Sequence, residues 1–194
     1  MNYEYILASA SPRRKELLKE ILPEFTISPS KANESVSGDP SPKKLVQILA
    51  ERKAREISAL PENEGKIVLG SDTVVALGDK ILGKPADEAE AKRMLQSLSG
   101  NKHFVWTGVC FARTQKGATK TLVSAVKTAV YFEKISEERI EEYIAGGSPM
   151  DKAGAYGIQD GGLVKKLKGS YSNVVGLPVE HCRKRIEKIE KKGL

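Results

Sequence analysis

Phe111-Ala112-Arg113-Thr114-Gln115-Lys116-Gly117-Ala118-Thr119-Lys120-Thr121-Leu122-Val123 lies at the centre of two strand-like runs. β-Branched and apolar residues recur from His103 to Arg113 and again from Thr119 to Phe132, and Lys116-Gly117 between them carries turn chemistry. The two runs read as long strands, antiparallel to each other. Elsewhere strands and helices alternate without a strict βαβ rhythm. The expected architecture is therefore α/β, a mixed, twisted sheet flanked by helices.

Working outward toward the N-terminus, Ile67 to Leu77 reads as a strand, and Gly78-Asp79 turns it into a short partner at Lys80 to Leu82. Pro42 to Ser58 is a helix opened by Ser-Pro, and Pro12 to Leu22 is another, with Leu17, Leu18, Ile21 and Leu22 facing inward. Tyr3 to Ala8 is a strand, Phe25 to Ser28 a short one, and residues 29–42 a loop rich in Ser, Pro, Asn and Asp. Asp87 caps a helix to about Leu98, with Glu90 completing a capping-box-like pair. Toward the C-terminus, Ser136 caps a helix ending at Ala145. A Gly-rich stretch precedes a strand near Leu163 to Leu167, and a last helix starts near Val179.

The 194 residues suffice for one domain with a real core, and the expectation is a single domain over 1–194. Hydrophobic content of 40% and charge of 29% are those of a soluble globular protein. No apolar stretch is long enough to span a bilayer and no signal peptide precedes the first strand, so no membrane partner is expected. Cys110 and Cys182 are too few for a disulfide framework or a zinc site; the chain reads as cytoplasmic with reduced thiols. The net charge of +7 suits an anionic ligand. Aromatic residues make up only 6%, without interleaving basic motifs, so a nucleic-acid partner is not expected. A homodimer is a candidate assembly.

Five segments carry candidate chemistry. In Ser9-Ala10-Ser11-Pro12-Arg13-Arg14, Ser11 is a good N-cap and Pro12 suits the first helical position. Arg13 and Arg14 then oppose the helix dipole, unless a multiply charged anion sits on the turn; solvated arginines are the plainer reading. In Gly70-Ser71-Asp72-Thr73, polar residues interrupt an apolar strand. A buried Asp72 needs a metal, a cation or several N–H donors. Lys53 shares a helix face with Val46, Leu49 and Ile57, so it points to the interior or a cleft rim, or snorkels to water. Gly78 to Lys84 has P-loop spacing, but Pro85 stands where Mg²⁺ needs Ser or Thr; the P-loop is rejected and Lys84 kept as a candidate phosphate contact. In Asp151 to Gln159, glycines permit close backbone approach, and Gln159 offers the donor and acceptor needed to read a nucleobase edge. Glu34 alone reads as a solvated acid. His103 and His181 lack triad or ligand spacing and read as structural.

Together these segments resemble the Maf family of nucleoside triphosphate pyrophosphatases, named for septum formation. The resemblance rests on Leu7 to Arg14, Leu49-Ala50 with Lys53-Ala54, Ser71 to Val75 and Leu82 to Pro85. It continues through Leu98-Ser99-Gly100 with His103 and Thr107-Gly108-Val109, Asp151 to Gln159, and Tyr171 to Pro178, in family order. It implies an α/β fold with two lobes around a cleft, akin to inosine triphosphatase. It also implies metal-dependent hydrolysis, with Mg²⁺ or Mn²⁺, of a nucleoside triphosphate to monophosphate and pyrophosphate. The family's functional residues carry over to Ser9, Arg13, Arg14, Glu34, Lys53, Asp72 and Lys84. Asp72 matches the proton acceptor, and Glu34 and Asp72 supply the acids for a metal. Arg13, Thr73 and Gln159 match specificity positions, and Thr73 with Gln159 is similar to the branch acting on dTTP and UTP, whether ordinary or modified. The family often has Asp-Glu in the polar loop; here Asn33-Glu34 leaves Glu34 as the acid there. The alternative is a nucleotide-binding regulator of cell division that acts through a partner.

Overall fold

The computed structural model describes residues 3–147 and 149–194. Its strands are β1 (Tyr5–Leu7), β2 (Thr26–Ile27), β3 (Ile67–Leu77), β4 (Lys80–Leu82), β5 (Lys102–Gln115), β6 (Ala118–Phe132) and β7 (Val164–Lys168). The helices are α1 (Pro12–Lys19), α2 (Pro42–Ser58), α3 (Glu88–Leu98), α4 (Glu137–Ala145), α5 (Tyr171–Val175) and α6 (Val179–Lys192). The strands form one seven-stranded sheet in the order β2-β1-β3-β5-β6-β7, with β4 paired to β3. β1 is parallel to β2 and β3, while β3–β4 and β6–β7 are antiparallel, so the sheet is mixed as expected. Lys116 and Gly117 both have positive φ, 51° and 74°, the geometry of a tight hairpin turn between β5 and β6.

The chain divides into two compact units. The first comprises residues up to Asp72, Thr107–Val126 and Gly176–Leu194. Strand alternation gives it two buried faces. Leu7, Leu69 and Phe111 pack with Leu18 of α1 and Cys182, Ile186 and Ile189 of α6. On the opposite face Ile6, Ala8, Val68 and Cys110 pack with Ala50, Ala54 and Ile57 of α2. α2 lies unusually close to the sheet because Gly70 and Gly108 lack side chains. A Cβ on Gly70 would stand 2.3 Å from Ala50 O, and one on Gly108 2.0 Å from Val46 O.

The second unit comprises Thr73–Trp106 and Lys127–Val175. Its core joins Val75, Leu82, Val105, Val130 and Phe132 to Ala91, Leu95 and Leu98 of α3 and Ile140, Tyr143 and Ile144 of α4. Each buried Val, Leu, Ile or Phe side chain among them contributes about 1.5–3 kcal/mol through removal from water. His103 is fully buried there, its ring edge-on to Phe132 and Tyr156.

Several local expectations change. α1 ends at Lys19 rather than Leu22: Ile21 N donates to Leu18 O in a tightened last turn, and Pro23 follows. Leu18 and Leu22 are buried, whereas Leu17 and Ile21 are only partly so. Asp87 Oδ1 caps α3 by accepting from Glu90 N at 2.7 Å, but Glu90 reaches back to Ala86 N, also at 2.7 Å, instead of the cap residue's own N–H. α5 was not anticipated.

Candidate active site

In the first unit the two neighbouring segments β1–α1 and α2–β3 bring functional side chains together. Ser11 caps α1 as expected, its Oγ accepting from Arg14 N at 3.4 Å. That start orients Arg14 back over the end of β1. Arg14 Nη1 donates to Ser9 Oγ at 3.4 Å and Nε to Gly176 O at 3.0 Å. Ser71 Oγ donates to the same Gly176 carbonyl at 3.1 Å. One backbone oxygen thus ties Arg14 to the residue preceding Asp72. Ser9 is buried and Arg13 half-buried on the same helical turn as Arg14. Burial pulls the Arg14 guanidinium below its ordinary pKa; Asp72 pulls it up, Arg13 lowers it and Glu34 raises it. Two cations close together are tolerated because acids face them.

Those acids meet at Lys53. Its Nζ lies 2.6 Å from Asp72 Oδ1 and 2.6 Å from Glu34 Oε1. The side chains of Lys53 and Asp72 are 13% and 12% exposed, that of Glu34 64%. Lys53 therefore does not snorkel; it crosses from α2 to β3, where Gly70 lets the helix come close. Of the three partners open to Asp72 on sequence grounds, the structure supplies a cation. Glu34 is not merely a solvated acid, since it completes this chain. Asn33, where the family often has an acid, instead closes a turn across Glu34, its Oδ1 accepting from Ser35 N at 2.8 Å.

The donor set fits a hard divalent cation. Two carboxylates converge on one ammonium, and Mg²⁺ commonly takes one or two carboxylates with substrate phosphates and water completing its shell. No group of three or more His, Cys, Asp or Glu that could hold a metal occurs among the described residues. The remaining ligands would have to come from the substrate and solvent.

The second unit holds Thr73, Lys84 and Gln159. Thr73 is half-buried on β3, directly after Asp72. Val75 of β3 pairs with Leu82 of β4, and Gly154 N donates to Gly83 O at 2.9 Å. That bond draws the segment bearing Lys84 toward the Gly-rich segment bearing Gln159. Both Lys84 and Gln159 are exposed, Gln159 on a single 3₁₀ turn, Ile158–Asp160. Tyr143 O–H braces this segment, donating to Asp160 Oδ2 and accepting from Gly157 N at 2.9 Å. His103 stays structural: its Nε2 lies 2.8 Å from the Tyr156 hydroxyl, and burial lowers its pKa to about 4. His181 is paired with Ser124 Oγ at 2.8 Å.

Sequence reasoning missed Ser71 and Gly176 as anchors. A hydroxyl in a buried strand was the signal for Ser71; a backbone carbonyl leaves none.

The profile of the family described as "Maf-like protein" matches residues 4–189. The chain is 49% identical over 181 residues to the dTTP/UTP pyrophosphatase of Citrifermentans bemidjiense, covering 92% of this chain and 91% of that one. It is 50% identical over 179 residues to the dTTP/UTP pyrophosphatase of Thermococcus kodakarensis, covering 90% and 91%. Among solved structures it is similar to a HAM1 protein from Coxiella burnetii, with TM-score 0.52 and 14% identity over 96% of this chain and 100% of that one. It is also similar to the Staphylococcus aureus Ham1 protein, with TM-score 0.50 and 16% identity over 95% and 98%. At such identities the structural likeness speaks for the fold.

Proposed function

The chain belongs to the Maf family, and from that premise we propose that it is a nucleoside triphosphate pyrophosphatase acting on dTTP and UTP. Its substrates include modified forms of these nucleotides, and its role is to clean the nucleotide pool. The observation that carries the reading is Lys53 Nζ held 2.6 Å from both Asp72 and Glu34. A cation and two acids gathered at one point support a site for an anionic substrate and a divalent ion. The dTTP/UTP pyrophosphatase activity for which the relatives are named supports the same conclusion. We extend the proposal to residues 1–194 working as one domain in the cytoplasm, with a homodimer as the candidate assembly. No helix among the described residues is long and apolar enough to cross a membrane.

In this mechanism Arg13, Arg14 and Lys84 bind the polyphosphate, and Ser9 adds a hydroxyl beside Arg14. Thr73 and Gln159, with Arg13, select the base. The Lys53 ammonium faces the Asp72 carboxylate, and Asp72 accepts a proton from the attacking water. The water oxygen attacks the α-phosphorus in line, and the α–β anhydride bond breaks. The electron pair leaves with pyrophosphate, whose growing charge the arginines and lysines balance. Glu34 and Asp72 would hold a divalent ion, Mg²⁺ or Mn²⁺, which would supply Lewis-acid neutralisation of the phosphates. No covalent nucleophile is needed.

The test is a panel of ordinary and modified nucleoside triphosphates with Mg²⁺ or Mn²⁺, scoring pyrophosphate against orthophosphate. Release of pyrophosphate with dTTP and UTP preferred is expected. Orthophosphate as first product would refute the reaction, and tight binding without turnover would instead indicate the regulator.

A further inference from the structure

We infer that Arg52, seconded by Glu56, is a positioning residue that aims Glu34 at Lys53 and Asp72. The inference rests on the reading of Glu34 as an active-site acid. Glu34 sits in the long polar loop that precedes α2, and its neighbours Asn33 and Ser35 are exposed. A backbone of this kind has many conformations available, and an exposed ion pair is a weak restraint on its own. Something stronger has to hold the loop if Glu34 is to meet Lys53 at 2.6 Å.

α2 provides it from the residues flanking Lys53. Arg52 Nη1 donates to Asn33 O at 3.0 Å and to Ser35 O at 2.6 Å, the two carbonyls bracketing Glu34. One turn on, Glu56 Oε2 accepts from Ser30 Oγ and from Lys31 N at 2.9 Å. Residues four apart share a helix face, so Arg52 and Glu56 grip the loop at two successive points while Lys53 beside them receives its acid. Within the loop, Ser30 Oγ accepts from Ala32 N at 3.1 Å and Asn33 Oδ1 from Ser35 N, fixing its curvature. Both bonds come from the one terminal nitrogen Nη1, whose two N–H bonds are fixed in the guanidinium plane, whereas those of an ammonium rotate. On sequence alone Arg52 is an ordinary cation on the wet side of a helix; the fold gives it both carbonyls.

The test compares wild type, Arg52→Ala, Arg52→Lys and Glu34→Gln. The first readout needs no metal or substrate: limited tryptic digestion, followed by mass spectrometry. Cleavage after Lys31 is expected to accelerate severalfold in Arg52→Ala, while cleavage after Lys116 in the β5–β6 turn stays at the wild-type rate. The second readout is the Mn²⁺ concentration for half-maximal UTP hydrolysis. It is expected to rise about tenfold in Arg52→Ala, the scale on which outer contacts affect metal affinity, with a smaller change in kcat at saturating Mn²⁺. Arg52→Lys, which keeps the charge and loses the fixed N–H directions, should fall between. If Glu34→Gln raises the Mn²⁺ requirement and Arg52→Ala does not, the positioning role is overturned while Glu34 keeps its place. If Glu34→Gln behaves as wild type, the reading of Glu34 falls and takes this inference with it.

Discussion

Lys53 Nζ and Asp72 Oδ1 stand 2.6 Å apart, joining the middle of α2 to the middle of β3. Both side chains are nearly buried, so the pair is far better shielded from solvent than the Glu34 contact beside it. Removing the Asp72 charge leaves Lys53 still paired with Glu34. Asp72→Asn should therefore fold, with a thermal unfolding curve close to wild type, yet lose turnover by about two orders of magnitude or more. Near-normal turnover would remove Asp72 from the chemistry.

The proximity of α2 to the sheet depends on Gly70. A methyl group there would meet Ala50 O and Ala54 N at 2.3 and 2.8 Å, both backbone atoms that cannot rotate away. Gly70→Ala should cost about 1–3 kcal/mol in urea unfolding. Because Lys53 rides on the displaced helix, kcat/KM should fall by at least about tenfold as well. Unchanged stability would mean that α2 has room to shift.

His103 predicts a pH effect on stability separate from catalysis. Buried with Tyr156 and Phe132, it has its pKa lowered to about 4 from the usual 6.5. The unfolded chain then binds the extra proton between pH 6.5 and 4, so stability rises with pH through that window. The contribution is complete above 6.5 and is lost as pH falls toward 4, to a limit of about 3 kcal/mol. Chemical denaturation of wild type and His103→Asn across pH 4–7 should show a steeper profile for wild type. Parallel profiles would contradict it.

Gln159 is exposed on a short turn. Gln159→Ala should leave stability within about 0.5 kcal/mol of wild type while narrowing the preference for pyrimidine over purine triphosphates. An unchanged preference in competition assays would place base reading elsewhere.

Most elements were legible because their signals are local. Ser11-Pro12 and Ser41-Pro42 mark helix starts, and the structure caps both helices with those serines. Lys116-Gly117 marks a turn, and both residues take the positive φ of a tight hairpin. α5 escaped notice because five residues hold little more than one turn; its buried Ser172 and Asn173 show no apolar stripe. At the site, the need of Asp72 for a partner was visible in the strand pattern, but the choice of Lys53 was not. Glu34 looked solvated because its neighbours in sequence are polar and its partner lies on another element. Arg52 gave no sign at all, since its role exists only where the loop backbone folds over α2.

In the proposed reaction water attacks the α-phosphorus of a pyrimidine triphosphate. Single-turnover hydrolysis of UTP in ¹⁸O-labelled water, with the products resolved by mass spectrometry, tests it most directly. The label should appear in the monophosphate and be absent from pyrophosphate. Label in the pyrophosphate, or in free orthophosphate, would contradict the account.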